Sequence, residues 1–532
     1  MRVFKVLKQS RVALALIFLL LTLALFIDIY EVIAEETFSK ILYLQFIPSL
    51  LSFIKSASLV TASGFIIIIL LTLLMGRFYC STICPLGVIQ DAFSYIAKKR
   101  TKKRVFFKYK KPQTIWRYSF LIIMIVAIAG GFGFIVAWLD PYSIAGRFFS
   151  YLVEPVAMAI NNAMAGLLQN RGNYAMHHVK FYHAAWLPLS LTLAMLLFIG
   201  IASYKRGRFF CNVICPVGTF LGLTSKAAIL KVKFNPGKCT KCGSCASVCK
   251  SECISIKNQS IDTSRCVTCF NCLTVCEDAA LDFGSIKSKA AKKSIKPEGL
   301  VVSAHKTDKE RRKLLVTGMA LMAGSSIYAL KKNKLAPSHA GLTRNERDYY
   351  PVPPGAISVS RFNKSCTACS LCVSACPTHV LQLSITEYGL SGFLQPFMDY
   401  ETNYCNFDCH KCAEVCPTGA ILPLAIDEKQ QTQLGVAVFL HNNCIVVSEG
   451  TDCGACSEHC PTKAVHMIPY KNGLMIPEVD QSICIGCGAC EYPCPVPSPY
   501  RAIYVNGNST HKLAEKPKVE EQSSVSFDDF PF

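Results

Sequence analysis

The sequence predicts an α-helical membrane domain carrying small cysteine-rich α+β modules on both of its faces. Three observations lead there: long apolar runs separated by basic loops, 29 cysteines grouped at short fixed intervals, and a twelve-residue segment that occurs twice. Hydrophobic residues make up 51% of the 532, and mean hydropathy is +0.33. A secreted domain built on disulfides would be small and free of apolar spans, so this many cysteines point to metal binding. The net charge of +21 sits beside the apolar runs. There it sets membrane orientation and meets anionic lipid headgroups, so nucleic acid is not an expected partner.

In chain order, a basic N-terminus leads into the apolar run Val12–Ile29, and Glu31, Glu35 and Glu36 follow it without a small-residue cleavage site. This is the pattern of a signal anchor. Ile41–Ile54 is too short to span, contains Pro48, and is expected at the interface. Further spans are expected at Ala57–Met75, Trp116–Leu139 and Trp186–Ser203. The loop Lys98–Lys111 has nine basic residues and no acidic one, which places it, the N-terminus and Lys205–Arg208 in the cytoplasm.

The repeat supports that layout. GRFYCSTICPLG (Gly76–Gly87) follows the second span and GRFFCNVICPVG (Gly207–Gly218) the fourth. Residues 1–230 thus read as two copies of a helical hairpin, each ending in C-x3-C-P. Residues 231–285 form a soluble module, 286–313 a basic linker, and 314–330 a fifth, twin-arginine-like span. It begins after Arg311-Arg312 and reads either as an export-like segment or as an ordinary span obeying the positive-inside rule. Either way it carries the chain to the other face. A polar linker (331–350), a second soluble domain (351–506) and a tail expected to be disordered (507–532) complete the chain.

Six cysteine quartets carry the chemistry. The inner module has Cys239, Cys242, Cys245, Cys249 and Cys266, Cys269, Cys272, Cys276, both C-x2-C-x2-C-x3-C. The outer domain has Cys366, Cys369, Cys372, Cys376 and Cys484, Cys487, Cys490, Cys494 in the same spacing. Between them lie two variants, Cys405, Cys409, Cys412, Cys416 and Cys444, Cys453, Cys456, Cys460. Three thiolates in a tight loop cap three corners of a 4Fe–4S cubane, while the fourth, a turn later, reaches the neighbouring cluster. Cys276 is therefore expected beside Cys239, Cys242 and Cys245, and Cys249 beside Cys266, Cys269 and Cys272. Structural zinc also uses four cysteines but rarely repeats six times in this triplet spacing. The modules are thus bacterial ferredoxin-like, with six 4Fe–4S clusters, or seven if Cys80, Cys84, Cys211 and Cys215 meet to hold another. Those four could instead form a redox dithiol or be buried thiols beside Pro85 and Pro216, and Cys253 is left over.

No predicted span contains histidine, which excludes a bis-histidine haem stack across the bilayer. His177, His178 and His183 precede the fourth span and could line a quinol pocket with Asp28 or Asp140, or be ordinary interfacial residues. Gly130, Gly131 and Gly133 suit helix packing better than a nucleotide loop.

At these motifs residues 1–285 resemble the NapH/MauN-type membrane ferredoxins. Residues from Arg311 to Asn506, with Pro353-Pro354-Gly355-Ala356 and four quartets, resemble the NapG/MauM-type exported four-cluster ferredoxins. The chain looks like a fusion of the two, in a polyferredoxin quinol dehydrogenase family. The resemblance implies an inner-membrane electron carrier with its first ferredoxin cytoplasmic and its second periplasmic. It would pass electrons from quinol to a periplasmic reductase or that enzyme's electron-transfer subunit, as a quinol dehydrogenase component. The C-x3-C-P pairs are then expected to serve electron uptake, with the histidine loop as the other candidate. An assembly factor that reduces metal or thiols for a partner's maturation is the alternative. A redox-sensing regulator would need a signalling module, and none is visible.

Overall fold

The apolar runs fold as helices, and the chain turns where glycine or proline interrupts them. The computed structural model describes residues 2–30, 32–56, 59–101, 107–181, 186–285 and 341–516. The span expected at 314–330, the Arg311-Arg312 pair, the 286–313 linker and His183 lie outside the described residues. The bundle consists of α1 (Arg2–Ala24), α2 (Phe46–Ser56), α3 (Leu59–Met75), α4 (Pro85–Thr101) and α5 (Thr114–Gly130). After these come α6 (Gly133–Leu139), α7 (Pro141–Phe148), α8 (Glu154–Gln169), α9 (Trp186–Arg206) and α10 (Pro216–Ser225).

Among the described residues two helical stretches, Val3–Ala24 and Trp186–Arg206, are long and apolar enough to cross a membrane, while α3 and α5 have 17 residues each. The span expected at Trp116–Leu139 is split. Gly131 caps α5 at φ +71, a left-handed conformation that costs glycine little, and Gly133 restarts the chain as α6. The segment expected at the interface packs against the bundle. Phe46, Ile47 and Leu51 of α2 are buried, and the Phe65 N–H donates to Ser49 Oγ at 3.0 Å.

The two ends of α5 hold different partners. Near its start, Arg117 Nη1 donates to Ser264 Oγ of the inner module at 3.2 Å. Just past its end, a Cβ on Gly133 would stand 2.3 Å from Asn363 O of the outer domain. At about 1.5 Å per residue, α5 separates the two modules by about 25 Å.

In the inner module β1 (Leu230–Phe234) pairs antiparallel with β2 (Leu281–Ser285). The outer domain is built on three hairpin-like pairs, the longest joining β3 (Thr432–Phe439) to β4 (Ile503–Leu513). Residues 507–516, expected to belong to a disordered tail, are ordered instead, and 517–532 lie outside the described residues. Lys512 and Leu513 pair with Gln433 and Thr432 beyond a bulge, and the Ala514 N–H donates to Gln431 O. The polar composition of this stretch suits an edge strand as well as a loose tail, which is why periodicity did not reveal it. One continuous core runs from Leu25, Tyr79 and Tyr142 of the bundle into Cys369, Leu371 and Val415 of the outer domain. Separate cores serve the inner module and the last two outer quartets.

Candidate iron–sulfur centres

The short helices and left-handed turns of each module bring its cysteines into groups of four drawn from two quartets. Cys245 lies within electrostatic reach of Cys276, Cys242 and Cys239, and Cys272 within reach of Cys269, Cys266 and Cys249. The outer domain follows the same exchange. Cys416 stands with Cys366, Cys369 and Cys372, and Cys376 with Cys405, Cys409 and Cys412. Cys460 joins Cys484, Cys487 and Cys490, while Cys444, Cys453 and Cys456 group with Cys494. The four cysteines of this last group line one cavity; Cys249, Cys266, Cys269 and Cys272 line another. Among the described residues no three His, Cys, Asp or Glu side chains close on a single ion. Groups spaced around a cavity suit a cubane better than zinc, whose bonds to sulfur are about 2.3 Å. Cys253, left over in the sequence, is buried with its Sγ 3.5 Å from Cys249 Sγ.

The repeat builds a seventh group. Gly76 (φ +74) and Gly207 (φ +58) turn the chain after α3 and α9, so Cys80, Cys84, Cys211 and Cys215 meet, buried, inside the bundle. The arginines cross over: Arg77 Nη2 donates to Cys211 O at 3.0 Å, and Arg208 Nη1 donates to Cys80 O. The last glycine of each repeat makes room for this. A Cβ on Gly87 would stand 2.2 Å from Cys80 O and 3.0 Å from Arg208 Nη1, and one on Gly218 2.2 Å from Cys211 O and 2.7 Å from Arg77 Nη2. Gln90 Nε2 and the Gly218 N–H donate to Cys211 Sγ (3.2 Å) and Cys215 Sγ (3.3 Å). Arg77 is fully buried. Among the described residues it donates to Asn212 Oδ1, Ser264 O, Cys211 O and Cys80 Sγ, and to no carboxylate. Four neutral thiols would leave that charge uncompensated, whereas four thiolates around a cubane core supply the missing anion.

The groups follow one another through shared neighbours. Lys250 is within reach of Cys269 and pairs with Asp91, which also holds Arg208, and Arg208 faces Cys80 and Cys211. On the other side Tyr79 lies near Cys84 and Asp140, and Tyr142 near Asp140 and Cys369. Cys372 then reaches Cys412, and the Cys405 N–H donates to Cys487 O at 2.9 Å. Asp140, a candidate pocket residue in the sequence, caps α7 by accepting from Ser143 N (2.9 Å) and Ser143 Oγ (2.6 Å). Asp28, His177 and His178 line a cavity beside Cys376. Gln90 beside Cys211, Asp91 against the inner module, and Arg147 (Nη1 to Ala368 O, 2.9 Å) and Glu154 (Oε2 accepting from Ser374 Oγ) against the outer domain carried no motif of their own. Arg77 and Arg208 did leave a sequence signal, as the second residue of each repeat.

These features define a multi-centre 4Fe–4S protein of the ferredoxin type. A 4Fe–4S binding domain profile matches residues 58–104 and 187–237, covering both C-x3-C-P pairs. A 4Fe–4S dicluster domain matches 365–420 and 451–497, and a further 4Fe–4S binding domain 232–255. The chain is 39% identical over 142 residues to the methylamine utilization ferredoxin-type protein MauM of Methylophilus methylotrophus (25% of this chain, 61% of that protein). It is 31% identical over 177 residues to MauM of Methylobacillus flagellatus (32% and 70%). It is 28% identical over 195 residues to the ferredoxin-type protein NapH of Escherichia coli K12 (36% and 53%). The chain belongs to this Nap/Mau family of ferredoxin-type proteins. It spans between about half and 70% of the length of those relatives. No solved structure matches it.

Proposed function

We propose that the chain joins a NapH/MauN-type half to a NapG/MauM-type half and carries electrons from membrane quinol to a periplasmic reductase. The observation that carries this reading is the unbroken succession of seven cysteine groups, from Cys239 at one end of the bundle to Cys494 at the far side of the other module. In this reading each quartet ligates one 4Fe–4S cluster, six in the two modules, and Cys80, Cys84, Cys211 and Cys215 hold a seventh. When bound, such clusters take up and release one electron each, so a two-electron donor such as quinol is oxidised in single steps.

The chain's own residues fix spacing, burial and charge around each site. Arg77 and Arg208 offset the negative charge of the four membrane-domain thiolates, and Gln90 and Gly218 N–H groups hold two of the sulfurs. Tyr79, Asp140 and Tyr142 keep water out of the gap between that site and Cys369, where all three are buried. The first module is assigned to the cytoplasm and the second to the periplasm, because the basic loops lie at the end of α5 that meets the inner module.

Mixing the purified, cluster-loaded protein with a reduced short-chain quinol tests the reading. Rapid bleaching of the cluster absorbance supports it. Bleaching by dithionite but not by quinol removes it and favours the maturation-factor alternative. Iron analysis should give about 24 atoms per chain from the six quartets, or about 28 with the seventh.

A further inference from the structure

The bundle and the first outer pair of cysteine groups enclose a cavity of about 230 Å³, against about 10 to 30 Å³ for the other described cavities. Leu25, Phe26, Ile33, Phe38 and Met158 of the bundle and Val415 of the outer domain give it an apolar lining. Asp28, Glu154, His177 and His178 from the bundle, with His379, Lys411 and Glu414 from the outer domain, supply its titratable groups. Cys376 forms part of the wall. The cavity lies just beyond the end of α1 at Ala24, and Leu25 to Ile29 line it.

The lining is held in place by its own hydrogen bonds. Asp28 accepts from Val32 N at 2.9 Å and Ile33 N at 3.0 Å, which ties the chain together just beyond α1. Tyr30 OH donates to Asn161 Oδ1 at 2.6 Å, and Asn161 Nδ2 to His177 O at 3.1 Å. Asn162 brackets Val179 with bonds of 2.8 Å to its N–H and its carbonyl. Glu154 is 8% exposed. Its Oε2 accepts from Ser374 Oγ at 2.5 Å and Ser150 Oγ at 3.4 Å, and Oε1 has no hydrogen bond to the described residues. Burial raises this carboxyl to about 7 even though both serines act to lower it, so it can take and release a proton near neutrality.

We propose, on the quinol reading above, that this cavity is the quinol site, with Glu154 receiving a ring proton and Cys376 marking the electron acceptor. Quinol becomes quinone as two O–H bonds break. One proton passes to Glu154 and the other to water at the opening. The two electrons would be taken up singly by the 4Fe–4S clusters that Cys366, Cys369, Cys372 and Cys416 and Cys376, Cys405, Cys409 and Cys412 would hold. Electrons would thus join the line of centres partway along it, and the C-x3-C-P group would not touch quinol.

An azidoquinone photoprobe with a short alkyl tail, applied to the full cluster-loaded chain in lipid, tests this without turnover. It should label residues 25–38 and 177–179, and excess unlabelled decylquinone should abolish the label. Met158→Trp fills the cavity and should cut both labelling and quinol-driven bleaching about tenfold at unchanged iron content. Glu154→Gln should keep the label and slow bleaching about a hundredfold. If Met158→Trp loses iron, Glu154→Gln and the labelling map decide. Labelling concentrated in residues 76–90 and 207–222, or wild-type bleaching in Glu154→Gln, overturns the assignment while leaving the quinol reading intact. A wild-type chain that quinol fails to bleach sinks that reading as well.

Discussion

Asp91 ties the inner module to the bundle, and replacing it with asparagine should loosen that joint selectively. Its Oδ1 accepts from Arg208 Nε at 2.7 Å, and its Oδ2 pairs with Lys250 Nζ and lies 3.5 Å from Arg11 Nη1. All three cations are buried, Arg208 completely. Asparagine keeps the shape and one acceptor but leaves these charges without their counter-charge. Removing one partner of a buried ion pair costs about 3–5 kcal/mol. At about 1.4 kcal/mol per tenfold, docking should weaken by roughly two to three and a half orders of magnitude. Hydrogen exchange reads this directly, because the Arg208 N–H donates to Lys250 O across the joint at 2.9 Å. Exchange at residues 207–212 and 249–252 should accelerate by at least about a hundredfold, while residues 366–422 keep their protection. Adding Lys250→Met should restore part of the loss by removing one orphaned charge. Unchanged protection in the single variant, or no recovery in the double one, would refute the reasoning. The joint should also be acid-sensitive. Burial alone would raise the Asp91 carboxyl, but Arg208 and Lys250 hold it well below the usual range. Its contribution is therefore complete above about pH 4 and is withdrawn as pH falls toward the depressed value.

Four further outcomes are expected. Cys249→Ser should remove the cluster of Cys266, Cys269 and Cys272 and spare that of Cys239, Cys242 and Cys245, as read by iron content and the EPR of the reduced protein. Cys84→Ser with Cys215→Ser should lower iron by about four atoms per chain and leave the outer domain loaded; unchanged iron would show that these thiols hold no cluster. Gly133→Ala places a Cβ 2.3 Å from Asn363 O and 2.9 Å from Cys366 O, both backbone, and should cost about 1–3 kcal/mol. Limited proteolysis should then cut faster around residue 363, whereas Gly172→Ala, with nothing within 4 Å of its Cβ, should leave that site unchanged. Reporter fusions after Ser285 and after Phe532 should report opposite membrane faces; the same face for both would remove the crossing expected at 314–330.

Local motifs were legible because their chemistry is local. Triplet spacing marked the cysteine loops and, for the inner module alone, which fourth member each loop is expected to share, and repetition marked Gly76–Gly87 and Gly207–Gly218 as equivalent. Contacts between distant segments were not legible. Arg77 and Arg208 stood in the sequence only as matching residues of the repeat, yet each crosses to the other repeat. Asp140 was open as a pocket acid or an ordinary interfacial residue; it caps a helix, a role that Pro141 and Ser143 signal on closer reading. The 24-residue apolar run at Trp116–Leu139 read as one span because hydropathy is blind to Gly131. The strand at Ile503–Leu513 was missed because its second half is polar and its partner lies some 70 residues earlier.

The placement of the two modules at opposite ends of α5 has an electrical consequence. With the topology proposed above, an electron travelling between them would cross the insulating layer that separates two charged solutions. Moving one elementary charge through that field changes its energy by about 2.3 kcal/mol per 100 mV. Electrons that leave the quinol cavity through the outer domain are indifferent to this voltage. Those that pass inward by way of Cys80 and Cys211 work against it when the cytoplasmic side is negative. An energised membrane would therefore direct the flow outward with no moving part, and a discharged one would open the inward branch.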